Sequence, residues 1–325
     1  MIITDIIDLH CDTLNELDSA ADFEKYDGHI NLEKLEKGGS LCQCFAIFIN
    51  DAVPDKDAYI VRKYSIFKDI LKKYGRRIAF AENADDILKN KQNVKISAML
   101  TIENCGFLNG DINKIKILED MRVRIAAPVW NNNNCISSSH SDTQNPDAPL
   151  TPFGREFVYR LNYTNIIPDV SHMNTGGFFD LADIYKKPFF ASHSGAYSLV
   201  ANSRNLTDAQ LKVMGDRGCV AGINFYGVFA NGGKHPTRIS DIVRHALYIK
   251  NTAGDGTAAL GSDFDGFEYP LDFNGFCAMQ DIADMLSVRL GSDYAEKVCY
   301  KNALRLLSVT GHEPVTLNNR NTISF

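Results

Sequence analysis

Two apolar runs in the middle of the chain, Ile166-Ile167-Pro168-Asp169-Val170 and Pro188-Phe189-Phe190-Ala191, are each followed by a Ser-His pair, which makes His172 and His193 the first candidates for chemistry. Near the start, His10 and Asp12 close another apolar run. On an extended chain they project to one side together with Asp8. Glu103 ends a fourth run, and Asp263 follows a fifth within Gly261-Ser262-Asp263-Phe264-Asp265-Gly266. Titratable groups buried without partners are costly, and a metal ion would supply the partner. Imidazole and carboxylate without thiolate suit zinc or another first-row divalent ion in an open, catalytic site. Three histidines and two or three carboxylates exceed what one zinc needs. Two ions about 3.5–4 Å apart under a bridging carboxylate would use them all and make hydroxide near neutral pH. Glu103 is the best bridge.

These groups need elements to hold them. Runs this short, bounded by Pro, Asn or Gly, read as buried strands. Between the two Ser-His runs, Phe178, Leu181, Ala182, Ile184 and Tyr185 recur at helical spacing, so the unit is strand, helix, strand with parallel strands. The pattern repeats. Strands are expected at 1–9, 41–49, 96–102, 123–129, 166–170, 188–191, 220–226 and 257–260. Helices are expected at 27–37, 56–74, around 84–88, 111–121, from Thr151-Pro152, from Thr207 to Gly218, and at 240–251, 279–290 and 293–307. In the helix over 56–74, Ile60, Tyr64, Phe67, Leu71 and Tyr74 form the inner stripe. Eight strands alternating with helices, without a linker, predict an α/β fold: one (β/α)8 TIM-type barrel over 1–325 with extra C-terminal helices. Its active site belongs at the carboxyl ends of the strands. A doubly wound sheet is the competitor, but no GxGxxG turn follows the first strand. His29 reads as a surface residue, His140 as exposed in the long polar loop 137–149, and His245 as a second-layer or surface group.

Composition narrows the function. With 325 residues, 45% hydrophobic, the chain can bury a large core, and its net charge of -6 offers no basic stripe for nucleic acid and no polybasic membrane patch. A small-molecule partner is expected. No basic leader opens the sequence and no apolar run approaches the ~20 residues of a membrane span, so the expected location is cytoplasmic. The eight cysteines lack paired CxxC spacing and read as free thiols in a reducing compartment. The tail 317–325 is polar.

Asp8-Leu9-His10-Cys11-Asp12-Thr13, Ile102-Glu103, Thr151-Pro152-Phe153-Gly154, Asp169-Val170-Ser171-His172, Ser192-His193-Ser194-Gly195-Ala196-Tyr197, Ser203-Arg204-Asn205 and Asp263-Phe264-Asp265-Gly266 resemble, in order, the membrane (renal) dipeptidase family of zinc peptidases. The resemblance covers about 7–307 and implies a cytoplasmic bacterial-type member. It implies a barrel, two zinc ions per chain and dipeptide hydrolysis by a metal-bridging hydroxide. His10, Asp12 and Glu103 would hold one zinc, and Glu103, His172 and His193 the other. Arg204 would clamp the substrate carboxylate, bidentately, and Asp263 would carry the proton from water to the leaving amine. Family members are often dimers, so a homodimer is implied, although no stretch shows an interface. One departure matters. Where mammalian-type members carry a His that helps polarise the scissile carbonyl, this chain has Trp130, as bacterial-looking members also do. Zinc alone, Asn131 or a swung-in His140 would then serve, with Trp130, Asn131 and Tyr226 as substrate contacts. A second reading is a metal-dependent hydrolase of the amidohydrolase type acting on another amide or ester, which needs no carboxylate clamp. A third, a catalytically dead binding barrel, predicts loss of a ligand or of Asp263, and none is lost.

Overall fold

The apolar runs become strands buried on both faces, as parallel strands flanked by helices must be. In the computed structural model, which describes residues 3–309, they are β1 (Ile6–Cys11), β2 (Ser40–Phe48), β3 (Ile78–Phe80), β4 (Ile96–Glu103), β5 (Ile125–Ala127), β6 (Ile167–Pro168), β7 (Phe190–Ala191), β8 (Val220–Ile223) and β9 (Ala258–Leu260). Eight of them run in the order β6-β5-β4-β2-β1-β9-β8-β7, all parallel, with β3 beside β4. Val170 N–H donates to Phe190 O at 2.8 Å and joins the two ends of that order, which makes the (β/α)8 barrel. The sequence reading missed β3. Three residues are too few to show a period, and only the start of β4 gives them a partner, Ile78 opposite Ile96. The first strand begins at Ile6, not at the terminus. The polar tail 317–325 lies outside the described residues.

Local chemistry sets the helix starts. The Thr151 hydroxyl accepts from Gly154 N–H, and Pro152 takes the first position of Pro152–Leu161. Thr207 and Gln210 form a capping box at Asp208–Asp216, and Gly218 follows that helix at φ +67°. The segment expected to be helical from 27 begins only at Leu32, because the Asn31 side chain caps it through Lys34 N–H. The stretch 111–121 splits into a 3-10 turn, Ile112–Lys114, and a short helix, Ile115–Asp120. Helix Lys56–Lys73 buries Ile60, Ile66, Phe67 and Ile70, with Tyr64 and Leu71 only partly covered. It also buries Lys63, whose Nζ donates to Asn15 O (2.8 Å) and Leu17 O (2.9 Å). A lysine among apolar residues reads as outward in sequence; here two carbonyls at the end of the short helix Thr13–Glu16 replace its water.

Two glycines bring the later strands close to the mouth. A Cβ on Gly222 would stand 2.0 Å from Ser192 O, and one on Gly261 would stand 1.8 Å from it. Neither can be accommodated without moving Ser192-His193. Gly261→Ala is expected to cost about 1–3 kcal/mol or more by overpacking. Thermal unfolding checks this, and a wild-type melting temperature would refute the close packing.

Candidate active site

Each marked strand end arrives at one mouth: His10 and Asp12 after β1, Glu103 on β4, His172 after β6, His193 after β7 and Asp263 after β9, all buried. His172 and Asp263 sit on left-handed backbone, φ +69° and +62°. That conformation is tolerated by His and Asp better than by branched residues, and it bends the chain at the strand end. Asp8 does not join them. It accepts from Ser262 N (2.7 Å), Ser262 Oγ (2.7 Å) and Gln43 Nε2 (3.0 Å) inside the barrel. Register shifts between β1 and β2 from Asp8 to Cys11 break the simple alternation that put the three groups on one side.

Glu103 lies between the histidines. Its Oε1 is 2.8 Å from His172 Nε2 and 3.7 Å from His193 Nε2, while Oε2 is 3.5 Å from His10 Nε2. His10 Nε2 is also 3.4 Å from Asp12 Oδ2 and 3.8 Å from Asp263 Oδ1. Two groups fall within common ligand reach, His10 with Glu103 and His193, and His10 with Asp12 and Asp263. His10 stands in both groups, and His172 lies beside them, 2.8 Å from Glu103 Oε1. His10 Nε2 is buried and has no hydrogen-bond partner among the described residues. An orphaned ring nitrogen facing three carboxylates is a costly arrangement that a cation resolves, so these residues fit a divalent metal. His193 is supported behind. Its Nδ1 lies 2.7 Å from Ser192 Oγ, which donates to Asp169 Oδ2 at 2.5 Å, leaving Nε2 for the centre.

The electrostatics follow from burial and crowding. Burial pushes Glu103 well above the usual carboxylate range, only partly offset by His10. Burial raises Asp263 to about 6, with Asp12 adding to it against His10 and Asn224. Burial disfavours the His10 imidazolium, but Glu103, Asp12 and Asp263 outweigh it and push His10 up to about 10. His172 and His193 go the other way, through burial and the nearby cations.

A cavity of about 260 Å³ opens beside Glu103, His172 and Asp263, walled by Trp130, Asn131 and Tyr226. Trp130 packs on Phe48 (4.7 Å between centroids) and Tyr226 on Phe267 (5.2 Å). Arg204 lines a second cavity, about 350 Å³, and His140 and His172 form the wall the two share. Arg204 is buried; Nη2 is 3.0 Å from both His193 O and His172 Nε2, and Nε has no partner among the described residues.

Two histidines depart from their sequence reading. His29 is half-buried and clamps Asp265 from both sides, donating N–H to Oδ1 (2.6 Å) and accepting Asp265 N–H at Nδ1 (3.0 Å). His140 is at the site, between Ser203 Oγ and Asn131 Oδ1, both at 2.9 Å; burial and Arg204 lower it to about 3. Only the length of its loop signalled this. His245 is the second-layer group expected, with Nδ1 accepting from Ala196 N–H and Nε2 donating to Ala230 O, both at 3.0 Å.

Comparison with known proteins points one way. The model of the family described as membrane dipeptidase (peptidase family M19) matches residues 2–319. A relative from Klebsiella pneumoniae, an uncharacterized protein in the pqqA 5' region, is 31% identical over 255 residues, 76% of this chain and 94% of its own. Dipeptidase tcpJ of Claviceps purpurea is 26% identical over 297 residues, covering 86% of this chain and 69% of its own. The fold matches a metallo peptidase from Rhodobacter sphaeroides, liganded with a phosphinate mimic of the dipeptide L-Ala-D-Ala, at a TM-score of 0.85 and 22% identity, over 94% of this chain and 99% of that one.

Proposed function

The chain belongs to the membrane dipeptidase family, peptidase family M19, which makes it a metal-dependent hydrolase of dipeptides, and we propose that it works with two zinc ions held by His10, Asp12, Glu103, His172 and His193. The observation that carries this is Glu103, whose two oxygens face different histidines, Oε1 toward His172 and Oε2 toward His10. When bound, the ions supply Lewis acidity and bring the pKa of water toward neutrality. The rest falls to side chains. Asp263 Oδ2 accepts from Asn224 Nδ2 at 2.9 Å, which leaves Oδ1, on the His10 side, to take a proton and return it to the departing amine. Burial holds that carboxyl at about 6, so both protonation states are accessible near neutral pH. Arg204, beside His172 and His193, receives the free carboxylate of the substrate. Trp130 and Tyr226 exclude water along the cavity wall.

The proposal extends to a cytoplasmic homodimer. The eight cysteines are free thiols, which suits a reducing compartment, and the dimer is what the family resemblance implies.

Metal analysis by mass spectrometry with hydrolysis of L,L- and L,D-dipeptides, free or amidated at the carboxyl end, tests the reading. About two zinc per chain are expected, with activity lost on amidation. Arg204→Ala is expected to raise KM for free dipeptides roughly 10–100-fold, the loss of one charged hydrogen-bonded contact. Indifference to amidation would point to another amide or ester as the substrate. A metal-free, inert protein would defeat both readings.

A further inference from the structure

Asn131 stands where the chain leaves β5, half-buried, on the wall of the cavity beside Glu103 and His172. Its Oδ1 is 2.9 Å from His172 Nδ1 and 2.9 Å from His140 Nε2. The proton positions follow from donor chemistry. His172 Nε2 faces the metal centre, 2.8 Å from Glu103 Oε1, 2.9 Å from His193 Nε2 and 3.0 Å from Arg204 Nη2; as the ligand nitrogen of the proposed function it carries a lone pair, and the ring proton sits on Nδ1. The Asn131 atom facing His172 Nδ1–H is therefore the oxygen. The same oxygen faces His140 Nε2, which must also donate, and His140 Nδ1 then accepts from Ser203 Oγ at 2.9 Å. Two imidazole N–H groups on one oxygen prevent the carboxamide from turning over.

The backbone of Asn131 is held as firmly. Its carbonyl accepts from Ser139 Oγ at 2.8 Å and from Ser141 Oγ, so three consecutive residues of the long loop, Ser139, His140 and Ser141, close around it. His140 N–H, donating to His172 O at 2.8 Å, ties that loop to the strand end carrying His172. What remains is the Asn131 NH2 group. Among the described residues Nδ2 has no acceptor, on a side chain that lines the substrate cavity.

We propose that Asn131 Nδ2 donates a hydrogen bond to the scissile carbonyl oxygen of the dipeptide, and that His140 is the positioning residue that aims it. The inference rests on the dipeptidase reading and assigns within it a donor that Trp130, with its ring packed on Phe48, does not provide. As the carbon is attacked, the carbonyl π electrons move onto the oxygen and the N–H contact strengthens. A donor fixed before charge develops acts on kcat more than on KM.

The test uses the metal-loaded full chain. Asn131→Ala is expected to lower kcat about 10²–10³-fold, the effect of removing one such donor. KM should change little, a phosphinate dipeptide mimic should weaken by a similar factor, and metal content should match wild type. His140→Phe is expected to lose about 10–100-fold in kcat, as for loss of a supporting partner, and His140→Gln, which keeps an N–H donor, to recover part of it. Nitrogen-15 spectra of wild-type His140 should show the Nε2–H tautomer, a readout independent of turnover and of variant folding. Unchanged kcat in Asn131→Ala, metal lost in step with activity, or the Nδ1–H tautomer at His140 would each overturn the donor role while leaving the dipeptidase reading intact. A wild-type chain inert toward every dipeptide would overturn that reading and the inference together.

Discussion

Glu103→Gln is expected to lose dipeptide hydrolysis by about 10⁴-fold or more and to retain less metal than the wild-type chain. Metal catalysis supplies several kcal/mol of transition-state stabilisation, and each 1.36 kcal/mol is tenfold in rate. Glu103 ends β4, buried, with one oxygen toward His172 and the other toward His10. Glutamine keeps the shape but turns one oxygen into a donor, which cannot ligate and points N–H groups at the histidines. Thermal unfolding with and without zinc reads the same loss. Zinc at 1,000 times its dissociation constant stabilises a protein by about 4 kcal/mol, and the variant should lose most of that. The pH dependence has a defined sign. With His10 pushed up to about 10 by its carboxylate neighbours, an ion binding there displaces a proton, so metal affinity falls as pH falls. A Glu103→Gln protein with wild-type metal content and turnover would remove the central element of the site.

Asp263→Asn is expected to lower kcat by about 10²–10⁴-fold, the usual contribution of a positioned acid-base group. Burial raises its carboxyl to about 6, Asp12 adds to the rise, and His10, Asn224 and Arg204 oppose it. Below that value the group is protonated and cannot accept a proton. Wild-type kcat/KM should therefore fall on the acid side of about pH 6, and the variant, which has nothing to ionise there, should lack that limb. Because Asp263 stands with His10 and Asp12 within ligand reach, metal content must be measured beside the rate. A variant that keeps its metal, its rate and its acid limb would leave Asp263 without a role in proton transfer.

The readable part of this protein was local. Strand ends at His10, Glu103, His172 and His193 could be marked because an apolar run and the group that stops it are adjacent in the chain. Helix starts at Pro152 and Asp208 were legible because a cap acts over three residues. The parallel order followed from the crossover between the two Ser-His runs. The strand β3, the burial of Lys63 and the inward place of Asp8 were not legible, since each depends on what lies across a gap of many residues.

The sequence by itself therefore determined the repeating strand-helix architecture, the donor types and the mouth at which they meet. Tertiary structure decided how those donors are shared. It placed His10 within reach of Glu103 and His193 on one side and of Asp12 and Asp263 on the other, and put the His29 clamp on Asp265 across 236 residues of chain. It also set His140 and His172 on one Asn131 oxygen. Periodicity tells which side of its own element a residue faces. It carries no information on which side chains from other strands stand within 3 Å, and at that distance ligand sharing, tautomer and amide orientation are set.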